Sequence, residues 1–219
     1  MTATGRKPIA ARWVDINKGD STQPNYRSRL GAKEFRGNDD NPDWFAATPP
    51  SECLKLMLTK MASDKKHKLL YADVSRAYFY APAVRPVYVQ LPEEDKEEGD
   101  GNMCGRLRLS MYGTRDAATN WASEYAETLK KAGYRQGRVS PCLFHHDRHD
   151  VTIMVHGDDF VAVGQEEYVV EAEKALKSKY KIKTETFGLG EKDVREVKIL
   201  NKVIRIDKDG LELEADPRH

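Results

Sequence analysis

Residues 153–163, IMVHGDDFVAV, constrain this chain more than any other stretch. Two apolar runs of strand length are separated only by His156-Gly157-Asp158-Asp159. A Gly-Asp pair in that setting signals a tight β-hairpin. The hairpin carries two adjacent carboxylates at its tip, where they interrupt a segment otherwise fit for burial. A second run, HKLLYAD at residues 67–73, reads as a buried strand that ends in Asp73. If the two elements are neighbours in an antiparallel sheet, Asp73, Asp158 and Asp159 lie on one edge. Each Asp taken alone has a plainer reading, because Gly-Asp-Asp is good turn chemistry and Asp commonly ends a strand.

The rest of the chain supplies a frame for that edge. Leu54, Met57, Leu58 and Met61 repeat at helical spacing after Pro49-Pro50, with Ser51 as the expected N-cap. Residues 114–132 form the clearest helix, with a stripe of Ala118, Trp121, Ala122, Tyr125, Leu129 and Ala132 ending at Gly133. A third helix spans residues 165–180. Strands are expected at 86–91, 103–109, 142–146, 151–156, 160–163 and 198–206, and a turn at 208–210 leads into 211–213. Residues 1–50 are polar and broken by Gly and Pro, Gly37 and Pro42 among them. They allow short strands around 12–16 and 27–34 with a mobile loop between. This order predicts an α+β fold, an antiparallel sheet with helices packed on one face.

Charge narrows the function. The 36 basic and 35 acidic residues leave a net charge of +1, against a uniformly basic nucleic-acid coat or a long acidic tail. The balance is uneven, however. Residues 1–92 carry a basic excess, and the run EEDKEEGD at 93–100 offsets most of it as a solvated loop. The sequence has no run of 18 apolar residues and no apolar segment in residues 1–12, so neither a membrane span nor a secretory signal is expected. An intracellular protein, cytoplasmic or nuclear, is the expectation. Cys53, Cys104 and Cys142 lack metal-ligand spacing and read as reduced thiols, and His145, His146 and His149 read as turn residues.

Three carboxylates on one sheet edge are what two-metal phosphoryl transfer needs. Two Mg²⁺ ions about 4 Å apart share carboxylate ligands, one activating the nucleophile and both steadying the leaving phosphate. Such chemistry asks for no Ser, Cys or His nucleophile.

Five segments, in order, resemble the reverse transcriptase domain of copia-type long-terminal-repeat retrotransposons, part of a Pol polyprotein. RWVDINKG with YRSRLGAKEF is similar to the fingers segment, and WFAATPPSECLKLML to the Phe-Ser-Pro-Val segment and its helix. YADVSRAYFYAPAVRPVYVQLP resembles polymerase motif A, LRLSMYGTRDAATNWASEY motif B, and MVHGDDFVAVG motif C. The resemblance covers residues 12–206 and implies a right-hand polymerase. Residues 1–66 would be fingers-like and 67–219 palm-like, with thumb and RNase H absent.

The resemblance also implies an activity, RNA-directed DNA polymerase, with an RNA/DNA template-primer and dNTP as partners. It implies two Mg²⁺ ions, with Mn²⁺ as a substitute. Asp73 and Asp158 would be the main ligands, Asp159 the third acid, and the Val74 carbonyl would face the second ion. Tyr78 would close the sugar pocket, although on position alone it reads equally well as a core aromatic. Arg27, Arg29 and Lys33 would reach the triphosphate, and His156, Gly157, Gly113 and Arg115 would face primer and template.

The chain also departs from the pattern. His156-Gly157 stands where Tyr-x is usual, and Gly157 is expected to loosen the turn. Asp116 stands where a Gln is usual, and a carboxylate suits phosphates poorly. A binding relic without catalysis is therefore the alternative. A nucleotide cyclase is a weaker one, whose paired-acid hairpin HGDDF only faintly echoes.

Overall fold

The computed structural model describes residues 5, 7–35, 44–101 and 103–215. Gly37 and Pro42, read above as chain punctuation, lie outside them, as do residues 216–219 of the segment expected to be palm-like. The strands are β1 (Ala11–Asn17), β2 (Tyr26–Ala32), β3 (His67–Val74), β4 (Tyr88–Gln90), β5 (Cys104–Arg106) and β6 (Arg135–Gln136). They continue as β7 (Leu143–His146), β8 (Val151–His156), β9 (Asp159–Gln165), β10 (Ile182–Phe187), β11 (Glu196–Ile199), β12 (Lys202–Ile206) and β13 (Leu211–Ala215). The helices are α1 (Ser51–Ser63), α2 (Ala117–Lys131) and α3 (Glu166–Lys177). Two compact units interleave along the sequence: Met1–Ala46 with Tyr78–Glu124, and Ala47–Ala77 with Tyr125–His219. The boundary between them runs through α2.

In the first unit β1 and β2 pair from Ala11↔Ala32 to Asn17↔Tyr26. The loop between them, expected to be mobile, is tied by its own side chains. Asn17 Oδ1 accepts from the Gly19 and Asn25 amides, and Asp20 Oδ1 accepts from those of Thr22 and Gln23. These are the local bonds that make Asn and Asp turn residues. β4 pairs with β5 alongside.

The second unit is built on a six-stranded antiparallel sheet in the order β10-β3-β9-β8-β7-β6. Its helices do not all lie on one face, as the sequence reading expected. Successive side chains of a strand point to opposite faces, and in β3 both Leu69 and Leu70 are buried. Leu69, with Val163, Met154 and Val161, packs against Leu54, Met57, Leu58 and Met61 of α1. The opposite face carries Phe144 and Phe160, whose rings meet Tyr125 of α2 at 6.0 and 5.7 Å. α3 joins that second face, where Thr184 of β10 donates to Glu173 at 2.6 Å. A sheet with two apolar faces needs cover on both.

Other elements also differ from expectation. α1 begins after Pro50 with no side-chain cap, and Ser51 donates to Glu52 instead. The single strand expected at 198–206 is a hairpin of β11 and β12. Its turn residues Leu200 and Asn201 both have positive φ, 51° and 59°, the backbone a two-residue hairpin turn asks for. β10 was not anticipated at all. Gly133 does end α2, with φ 90° and the Tyr134 amide donating to the Leu129 carbonyl.

Candidate active site

β3 and β9 place the three acids. The register pairs Asp73 with Asp159, the first residue of β9, and continues through Tyr71↔Val161 to His67↔Gln165. The Val74 amide donates to the Asp158 carbonyl at 2.8 Å, which ties the end of β3 to the β8–β9 turn. Directly opposed residues in an antiparallel pair share a face, so Asp73 and Asp159 project to the same side of the sheet. His156 is the cross-strand partner of Asp159 on β8 and shares that side. Val74 itself is fully buried.

The turn between β8 and β9 has two central residues, Gly157 and Asp158, and Gly157 takes φ 62°. Glycine there does not loosen the turn. It is the residue type that a tight hairpin with a left-handed first position requires. Asp158 is held half-buried between that Gly and the strand.

The acids repel one another. Burial raises the Asp159 carboxyl above the usual carboxylate range, and the charges of Asp158 and Asp73 add to this against an opposing hydrogen bond from Tyr71. That bond runs from the Tyr71 hydroxyl to Asp159 Oδ1 at 2.6 Å. Burial, and next the bond to Asp159, push the Tyr71 phenol upward. Tyr71 escaped the sequence reading, though its signal was present. It lies two residues before Asp73 in the same strand, on the same face. Among the described residues, no three His, Cys, Asp or Glu side chains stand in a group that could hold a metal ion as placed. A cleft of about 550 Å³ opens beside the acids, lined by Ser51, His156, Asp159, Lys198, Asn201 and Lys202.

The residues read as nucleotide-binding lie in the first unit. Tyr78 sits in a short 3-10 turn, Ala77–Tyr80, half-buried, with its ring 4.8 Å from that of Tyr112. The Arg29 guanidinium lies over the same Tyr112 ring at 5.5 Å. Tyr112 therefore joins Tyr78 and Arg29, which lie far apart in the sequence, and the sequence pattern marks it only as a motif residue. Arg27 and Arg29 alternate on β2 and share its face, opposite Ile16 and Val14. Lys33, just past β2, is exposed and donates its amide to the Ala10 carbonyl.

Motif B turns inward. Gly113 has φ 84°, and a Cβ there would come within 1.9 Å of the Ala32 carbonyl oxygen. The Tyr112 and Gly113 carbonyls accept from the Ala32 and Glu34 amides, so glycine lets two backbones meet. Arg115 stacks over Trp44 at 4.3 Å, and its amide donates to Glu34. Asp116, expected to trouble phosphates, is buried at 2% exposure. Arg85 donates to it at 2.9 Å and also to Glu34, and Asn120 bridges Asp116 to Ser110. Its charge is paired inside the fold.

A profile of the family described as "Reverse transcriptase (RNA-dependent DNA polymerase)" matches residues 2–191. The chain belongs to the reverse transcriptase family. Curated relatives of this reverse transcriptase domain are retrovirus-related Pol polyproteins of plant transposons. That of transposon TNT 1-94 from Nicotiana tabacum is 22% identical over 80% of the chain and 14% of the relative. Those of transposons RE2 and RE1 from Arabidopsis thaliana are 23% and 24% identical over 80% and 72% of the chain, and 12% and 11% of the relatives. The domain thus spans a small fraction of the polyproteins it matches. Among solved structures, a telomerase from Candida albicans aligns with 99% of the chain and 47% of its own, at TM-score 0.47 and 9% identity. No helix among the described residues is long and apolar enough to cross a membrane.

Proposed function

We propose that the chain is the nucleotidyl-transfer core of a copia-type retrotransposon reverse transcriptase, an RNA-directed DNA polymerase acting inside the cell. A primer 3′-hydroxyl attacks the α-phosphate of a dNTP, and pyrophosphate leaves. One observation carries this reading: Asp73 stands directly opposite Asp159, with Asp158 in the adjoining turn bonded to the end of the same strand. Carboxylates held this close repel one another, and a bound cation would offset that repulsion. The donor set is all hard oxygen and suits Mg²⁺. Asp73 and Asp158 would hold the ions, with Asp159 and the Val74 carbonyl beside them. Two such ions, when bound, activate the hydroxyl and steady the leaving phosphate.

The remaining roles fall to the protein's own groups. Tyr78, braced on Tyr112, excludes a ribose 2′-hydroxyl by shape. Arg27, Arg29 and Lys33 take the triphosphate by charge-assisted bonds. His156 and Gly157 meet the primer end, and Lys198 and Lys202, which line the same cleft as His156, suit its phosphates. Gly113 and Arg115 support the template side through the backbone contacts and stacking described above.

Primer extension on an RNA template with Mg²⁺, and separately Mn²⁺, tests the assignment. Extension should fall by about 100–1,000-fold in Asp158→Ala and Asp73→Ala. Equal extension by these variants and the unaltered chain would overturn it, and so would template binding with no extension under either ion.

A further inference from the structure

Among the described residues, Asp159 is the one of the three acids that accepts from a side-chain donor, the Tyr71 hydroxyl at 2.6 Å. The register explains why. Tyr71 and Asp73 are two apart in β3, and Asp73 pairs with Asp159, so all three side chains leave the same face. Tyr71 is half-buried, and its flank packs on the core formed with α1. Its hydroxyl is thereby fixed from below, and a fixed hydroxyl fixes the carboxylate oxygen it donates to. The second Asp159 oxygen receives no such bond from Tyr71.

We infer that Tyr71 is a positioning residue: by holding Asp159 Oδ1 it sets the rotamer of the third acid and leaves the other oxygen for a divalent cation. The inference rests on the metal-binding reading of the three acids given above. It adds a residue outside the acid set and outside the nucleotide-binding set. Partners that orient a ligand in this way typically change metal affinity by about 10–100-fold when removed.

Mn²⁺ binding to the full chain, read by electron paramagnetic resonance titration without nucleic acid, separates the possibilities. Tyr71→Phe keeps the ring and removes the hydroxyl, and circular dichroism confirms that the sheet is retained. The expected result is Mn²⁺ affinity lowered by about tenfold, with no further loss when Tyr71→Phe is added to Asp159→Ala. Two results would overturn the inference while leaving the metal reading intact. One is unchanged affinity in Tyr71→Phe with affinity lost in Asp73→Asn. The other is a Tyr71→Phe loss that persists in full beside Asp159→Ala, which would mark a general effect on the fold. Unchanged Mn²⁺ binding in both Asp73→Asn and Asp158→Asn would remove the metal reading itself, and this inference with it.

Discussion

Asp116 illustrates how far a single residue's role depends on what folds against it. The sequence marks it as an awkward charge in motif B. In the structure its carboxylate lies between the Arg85 guanidinium and the Asn120 amide, nearly out of solvent. Nothing in the local pattern announces Arg85, 31 positions earlier. Removing one partner of a buried ion pair leaves the other charged and undersolvated, a cost of about 3–5 kcal/mol. Arg85→Ala should therefore lower the urea unfolding free energy by about 3 kcal/mol. Asp116→Asn keeps the shape and some bonds and should cost nearer 1 kcal/mol. The reverse order would place the stabilising charge elsewhere. Tyr71 makes the opposite point: its period-2 relation to Asp73 was readable, and only the chemistry at the end of its ring was not.

Elements were legible where their periodicity was strong. The apolar spacing of Leu54, Met57, Leu58 and Met61 yields α1, and the paired runs around Gly157 yield the β8–β9 hairpin. Elements whose identity depends on partners were not. β10, IKTETF, carries four consecutive polar residues, 183–186, and becomes a strand by pairing with β3. The β11–β12 turn hides in a strand-like stretch, residues 198–206, because Leu200 is an unusual residue for positive φ.

Two glycines give a graded test at this scale. A Cβ at Gly157 would meet nothing within 4 Å, so Gly157→Ala carries only the left-handed backbone cost of about 1–2 kcal/mol. Gly113→Ala adds a collision with the Ala32 backbone and should be markedly less stable by thermal denaturation.

α3 offers a pH test. Glu173 accepts from Thr184 at 2.6 Å and from Lys177 at 2.5 Å. Burial pushes its carboxyl up, but these two bonds outweigh it and leave the group below the usual 4.5. A carboxyl depressed in the folded state contributes stability above its unfolded pKa and loses it as pH falls through the folded value. The stability gap between the unaltered chain and Glu173→Gln should thus be full near pH 6 and close below about pH 4.5. A gap independent of pH would assign Glu173 no such role.

For the whole molecule, the net charge of +1 conceals a basic excess in residues 1–92 and the acidic run at 93–100. Nucleic-acid affinity should follow local charge rather than the net value and fall steeply with salt. Each phosphate contact contributes roughly 0.7–0.9 to the slope of log affinity against log salt. Replacing Lys198 and Lys202 together with Ala should flatten the slope for primer–template by one to two contacts, as read by fluorescence anisotropy. An unchanged slope would move the phosphate contacts off the cleft beside His156. The most direct test of the central claim is incorporation of one labelled dNTP onto an RNA-templated primer by the unaltered chain and by Asp73→Asn, which preserves size and removes the charge. The account predicts a single added nucleotide that disappears in the variant while its circular dichroism is unchanged. Incorporation by both at the same rate would contradict it.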